Sequence, residues 1–157
     1  MRKLVLWGHD VNEYREMFAL SEEDINQARI LEYGCGPSAV NVQQTQNNHE
    51  VISADPLFVL DKDTLYAKSI MIFAQMAEEI AQHQELFDFS RSGSLKQLLA
   101  ERQQGMQEFF ADYTQGKVQG RTRGLQRLTR ISTPYSSSTI LLRTDKAERP
   151  TRWASSI

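Results

Sequence analysis

The stretch that constrains this chain most is Arg29-Ile-Leu-Glu-Tyr-Gly-Cys-Gly-Pro-Ser-Ala-Val-Asn41, read together with Val51-Ile-Ser-Ala-Asp-Pro56. It has the order of a short apolar strand, a glycine turn, a helix start and a second apolar strand that ends in an acid. A strand flanked by helical segments and closed by glycine is the opening of a parallel α/β unit. Gly34 and Gly36 allow a tight turn and let a second group approach where a Cβ would collide. The helix after the turn offers backbone N–H groups and the positive end of its dipole to a negative group. Asp55 follows Gly34 by 21 residues, near the distance at which nucleotide-binding units set an acid against ribose hydroxyls. The expectation is an α/β fold with strands over 30–33 and 50–54 and a helix over 38–46 between them.

The flanking segments read as helices. Asp10 is an N-cap candidate with Glu13 three positions on, and Val11, Tyr14, Met17 and Phe18 fall on one face over 10–20. Ser21 opens a second short turn with Asp24 in the same relation. Leu65, Ile70, Phe73, Ala77 and Ile80 mark a long helix over 60–86, capped by Asp61 or Asp63. Leu95, Leu98, Leu99, Met106, Phe109, Phe110 and Tyr113 mark another over 95–113. Gly105 costs that helix about 1 kcal/mol against Ala, which makes it a candidate bend.

The overall net charge of −2 conceals a division of the chain. Residues 1–120 hold 10 Lys/Arg and 18 Asp/Glu, a balance of −8, whereas residues 121–157 hold 8 and 2, a balance of +6. The second segment also has 12 Ser or Thr in 37 positions. Its apolar pattern fades, with Ile140-Leu-Leu142 the one apolar cluster. The expected organisation is therefore a body over 1–120 and a basic, Ser/Thr-rich, poorly structured C-terminal tail over 121–157. Arg121, Arg123, Arg127 and Arg130 lack an aromatic platform, so the reading gives nucleic acid no role.

No apolar run approaches the roughly 18 residues of a membrane span, and the apolar part of Met1-Arg-Lys-Leu-Val-Leu-Trp7 is too short for a signal peptide. A single cysteine leaves no disulfide framework. These features lead to the expectation of a cytoplasmic protein. Cys35 has no partnered base in the sequence and reads as a small loop residue. His49 and His83 lie in polar stretches without metal-ligand spacing, so no metal site is expected.

Glu32-Tyr-Gly-Cys-Gly-Pro-Ser38 resembles motif I of the class I S-adenosylmethionine-dependent methyltransferases, in which an acid stands two residues before the first glycine at the end of the first strand. A dinucleotide fingerprint can also be fitted on Gly34, Gly36 and Ala39, but it does not call for the acid at Glu32. Ser38 departs from the family pattern, where a third glycine is usual. The resemblance implies a Rossmann-like methyltransferase fold over 1–120. It implies a cofactor site of Glu32, Tyr33, Gly34, Cys35, Gly36, Asp55 and Pro56, with S-adenosylmethionine as cofactor and methyl transfer as the activity. In that reading Gly34 and Gly36 pass beneath the methionine and ribose portions, Glu32 orients the loop and the ammonium end, and Asp55 accepts from the ribose hydroxyls. The catalytic residues, the methyl acceptor and the oligomeric state stay open.

The stretch 7–18 is similar to a segment that precedes motif I in some bacterial methyltransferases. The similarity implies a lid, with Arg15 meeting the methionine carboxylate and His9 or Tyr14 lining the cleft. Without the resemblance, the same residues read as a helix packed on the sheet edge. The family's further strands have no counterpart in 121–157, so the parallel sheet is expected to be incomplete. The change near Gly120 is the mark of a shifted reading frame or truncated gene, or else of an appended segment. Three functional readings follow: a methyltransferase, a non-catalytic S-adenosylmethionine-binding remnant and an NAD-dependent oxidoreductase.

Overall fold

The computed structural model describes residues 6–27 and 29–125, with the backbone of 140–144 and 150–155. Helices α1 (Val11–Met17) and α2 (Glu22–Gln27) precede strand β1 (Arg29–Tyr33). Helix α3 (Val40–Gln46) then leads to β2 (Val51–Asp55) and a 3-10 turn, Pro56–Val59. Helices α4 (Lys62–Gln82) and α5 (Leu95–Val118) follow, and the chain returns to the sheet as β3 (Thr122–Gly124), β4 (Ile140–Thr144) and β5 (Pro150–Ser155).

The sheet order is β3-β2-β1-β4-β5. The first three strands are parallel, with Ile30 opposite Val51, Glu32 opposite Ser53 and Ser53 opposite Thr122. Strand β4 runs antiparallel to β1 and β5 antiparallel to β4. The expected small parallel sheet flanked by helices is present. The expected tail contributes three strands to it. Residues 126–139, 145–149 and 156–157, which include Arg127 and Arg130, lie outside the described residues. The outer edge of β1, which an incomplete sheet would leave bare, is paired with β4.

The strands have a buried row and a half-buried row. Ile30 and Glu32 of β1 and Val51, Ser53 and Asp55 of β2 are buried, while Leu31, Tyr33 and Ile52 are only partly covered and the small Ala54 is the one buried member of that second row. Successive side chains of a strand point to opposite faces, so the inward row reads apolar at its start and polar toward its end. Tyr14, Ile30, Val40 and Val51 form one core cluster, with Val11, Phe18 and Leu20 against it. Cys35, Phe58, Leu65, Met106, Phe109, Phe110 and Tyr113 form the second, which α4 and α5 enclose.

Helix ends follow the side chains available there. The Asp10 carboxylate accepts from Glu13 N at 2.8 Å, Asp61 from Thr64 N at 2.9 Å and Ser94 from Gln97 N at 3.2 Å. Each satisfies a first-turn N–H that lacks an intrahelical partner. Ser21 and Asp24 cap one another reciprocally before α2. Helix α4 ends at Gln82, before the expected 86, and residues Gln84–Leu86 form a 3-10 turn. Helix α5 continues unbroken past Gly105 to Val118. Gly105 marks a crossing rather than a bend: a Cβ there would lie 2.6 Å from the Gly8 carbonyl oxygen, and one on Gly8 would lie 2.5 Å from the Arg102 carbonyl oxygen. No helix among the described residues is long and apolar enough to cross a membrane.

Candidate functional site

The carboxyl ends of β1 and β2 bring the glycine loop and Asp55 together. Gly34 and Gly36 both take positive φ, 65° and 57°, a region that costs an L-residue with a Cβ about 1–2 kcal/mol. That backbone turn aims the Gly36 N–H at the neighbouring strand, where Asp55 Oδ2 accepts it at 2.9 Å. Asp55 Oδ1 accepts from Leu57 N at 2.8 Å and thereby caps the 3-10 turn. One carboxylate thus holds the loop, β2 and the turn after it. Two ionised oxygens offer about four acceptor positions, so the two backbone bonds leave capacity for further donors. Burial pushes the Asp55 pKa up, and the N–H groups of Leu57 and Gly36 offset part of that rise.

Glu32, one pleat before the loop, is fully buried. The Ser53 hydroxyl donates to its Oε1 from the adjacent strand. Ser53 in turn accepts from Asn41 Nδ2 at 2.7 Å, and Arg121 donates to Asn41 Oδ1 at 2.6 Å. Arg121 also forms a two-pronged pair with Asp112 at 2.9 and 3.0 Å. Its carbonyl accepts from Ser53 N at 2.7 Å and from Asn41 Nδ2 at 3.1 Å, which seats the start of β3 against β2. A polar line therefore crosses the interior from the Glu32 carboxyl to the α5–β3 junction. Burial raises the Glu32 pKa, and hydrogen bonding by the hydroxyls of Ser53, Tyr14 and Ser38 counters it in part.

Leu6–His9 lies across the loop. Leu6 is 2% exposed, and its Cδ2 would stand 3.4 Å from a Cβ on Gly36. The His9 carbonyl accepts from Ala39 N at 2.8 Å, at the entrance of α3. Trp7 packs over the Arg102 guanidinium, 4.7 Å from ring centroid to Cζ. Arg102 makes a two-pronged buried pair with Glu13, and His9 Nδ1 lies 2.8 Å from Glu13 Oε2. Burial alone would raise the Glu13 pKa, but the hydrogen bonds from His9 and Arg102 outweigh it and bring it to about 2.

Of the residues singled out in the sequence, Glu32, Gly34, Gly36 and Asp55 converge at these strand ends. Tyr33 ends β1 half-buried, and Pro56 opens the 3-10 turn. Cys35 points into the Phe58–Leu65–Met106 cluster, and burial raises its thiol well above the usual value. Such a thiol stays protonated and is a poor nucleophile. Arg15 pairs with the exposed Glu22, away from the loop. The Tyr14 hydroxyl hydrogen-bonds Glu32, and the His9 ring, bonded to Glu13, lies 5.6 Å from the Tyr14 ring. Arg123 Nε donates to the Gly120 carbonyl at 2.6 Å. Among the described residues, no three His, Cys, Asp or Glu side chains stand together as a metal site.

Sequence reasoning missed Asn41, Ser53 and Arg102, and read Glu13 only as the acid of a helix start rather than as the partner of Arg102. Ser53 had a readable signal, a hydroxyl in the inward row of an otherwise apolar strand. Asn41 had a weaker one, an amide in the first turn of the helix after the loop. Arg102 had none, because its partner Glu13 lies 89 residues away. Comparison with protein-family models, curated proteins and solved structures gives no match to this chain.

Proposed function

We propose that this chain carries the S-adenosylmethionine-binding half of a class I methyltransferase. The observation that supports the reading is the Gly36–Asp55 contact. A glycine loop in the left-handed conformation ends one parallel strand and is held by the acid that ends the next. The order β3-β2-β1 is that of the first half of a doubly wound sheet, in which ligands bind beyond the carboxyl ends of the strands.

The residues present fit the cofactor's polar groups. Asp55 retains acceptor capacity for two ribose hydroxyls, and Gly36 carries no Cβ on the face that Leu6 covers in this structure. Glu32 places a carboxyl beneath the loop, where it complements a cationic methionine portion. When bound, the sulfonium supplies an already activated methyl group, so the protein's work is alignment and exclusion of water.

The non-catalytic reading has one observation in its favour. In a doubly wound sheet the position beside β1 belongs to a further parallel strand, and here antiparallel β4 takes it. The oxidoreductase reading is the weakest. A dinucleotide fingerprint does not call for an acid two residues before the first glycine, and here that acid, Glu32, is fully buried beneath the loop.

Isothermal titration calorimetry of the 157-residue chain tests the proposal. S-adenosylhomocysteine is the ligand, NAD the control and Asp55→Asn the variant. The reading requires binding of the first ligand alone, weakened in the variant. Binding of NAD alone refutes it, as does a folded chain that binds neither ligand even after the residues over the loop are displaced.

A further inference from the structure

We infer that Leu6–His9 is an internal occupant of the ligand seat, so that ligand and strap compete for one surface. The inference rests on the cofactor-binding reading above. A lid closes over a bound molecule, whereas this segment takes the molecule's place. The Leu6 side chain covers the open side of Gly36, the face that a missing Cβ makes available. The Ala39 N–H, a donor that α3 would otherwise present, is taken by the His9 carbonyl. Beneath the strap Gly36, Pro37, Ser38 and Ala39 are all buried. Asp55 keeps only 5% of its surface and Glu32 keeps none. A ligand that is to touch the loop backbone from that side has to lift these residues.

The strap is held by features that can be released separately. Its backbone crosses α5 where Gly8 and Gly105 face each other, and neither position has room for a Cβ. Trp7 lies on Arg102, and His9 bonds to Glu13. Only the closed state is described here, and the open state is the one competent to bind. The apparent dissociation constant is then the intrinsic one divided by the open fraction.

Gly105→Ala separates strap closure from the rest of the fold. The added methyl meets the Gly8 carbonyl oxygen at 2.6 Å, while alanine is the better residue within a helix. The variant therefore expels the strap without weakening α5 itself. Leu6→Ala is the companion variant; it removes the cover on Gly36 without touching α5 and serves if the first fails to fold. Two readouts are needed: calorimetric affinity for S-adenosylhomocysteine and amide hydrogen exchange at Ala39. The expected result is faster exchange at Ala39 with affinity tightened by up to about tenfold, the ceiling for a wild-type open fraction near a tenth.

Faster exchange with unchanged or weaker affinity overturns the competition. Unchanged exchange in both variants overturns the occlusion itself. If no chain binds the ligand while Ala39 exchange quickens, the cofactor reading falls and the occlusion of the loop stands.

Discussion

Glu13→Gln puts the buried pair beneath Trp7 to a quantitative test. Glu13 is 7% exposed and receives both prongs of Arg102 together with His9. Its pKa falls from 4.5 to about 2, and at about 1.4 kcal/mol per unit this corresponds to roughly 3 kcal/mol of native-state preference for the charged form. The folded value lies below the unfolded one, so this stability is present above pH 4.5 and is lost as the pH falls toward 2. Little solvent reaches the pair, so screening removes little of it. The variant should therefore lose about 3 kcal/mol at pH 7, a large part of a typical domain's 5–15 kcal/mol. Arg102→Met should cost up to about 3–5 kcal/mol, because it leaves the buried carboxylate with only His9 at 2.8 Å and Arg91 at 3.7 Å. The double variant should lose clearly less than the two singles combined. Urea unfolding followed by far-UV circular dichroism, repeated from pH 7 down to pH 3, measures all three. A loss under about 0.5 kcal/mol at pH 7, or one that does not shrink with acid, refutes the reasoning.

The other predictions are simpler. Glu32 has its pKa raised by burial, so the charged form costs stability that grows as the pH rises from the ordinary carboxylate range. Glu32→Gln should therefore be more stable than wild type at pH 8 and converge with it near pH 4; a gap that widens toward acid contradicts this. Gly36→Ala imposes a Cβ at φ 57° and 3.4 Å from Leu6. It should cost about 1–2 kcal/mol, read as a lower urea midpoint with unchanged slope. Cys35 should react with an aromatic disulfide reagent only as fast as the loop opens, and stoichiometric labelling within seconds on the folded chain would exclude its burial.

The local features of this fold were legible because their causes are local. Glycine spacing announced the loop, Asp10 and Asp61 announced helix starts, and apolar residues at helical intervals announced α4 and α5. Asp55 was legible as an acid at a strand end, but its grip on Gly36 N–H was not, since that needs the register of β1 against β2. Gly105 looked like a defect because its cause, the Gly8 backbone, lies almost a hundred residues earlier. Strand β3 has three residues, Thr122-Arg-Gly124, and no apolar alternation to betray it. The Arg121 carbonyl, which accepts from both Ser53 and Asn41, secures its place instead. Antiparallel β4 and β5 follow the same rule, for a strand's partner is chosen at a distance that composition does not record.

Under the proposed function, the double grip of Asp55 ties recognition and architecture to one carboxylate. The side chain proposed to meet the ribose also fastens Gly36 and caps the turn at Pro56. A library selected only for resistance to heat will retain an acid at position 55 even if binding is never assayed. A library selected only for binding will raise the melting temperature measured in the ligand's presence, since a ligand that favours the folded chain stabilises it by an amount that grows with the logarithm of its affinity.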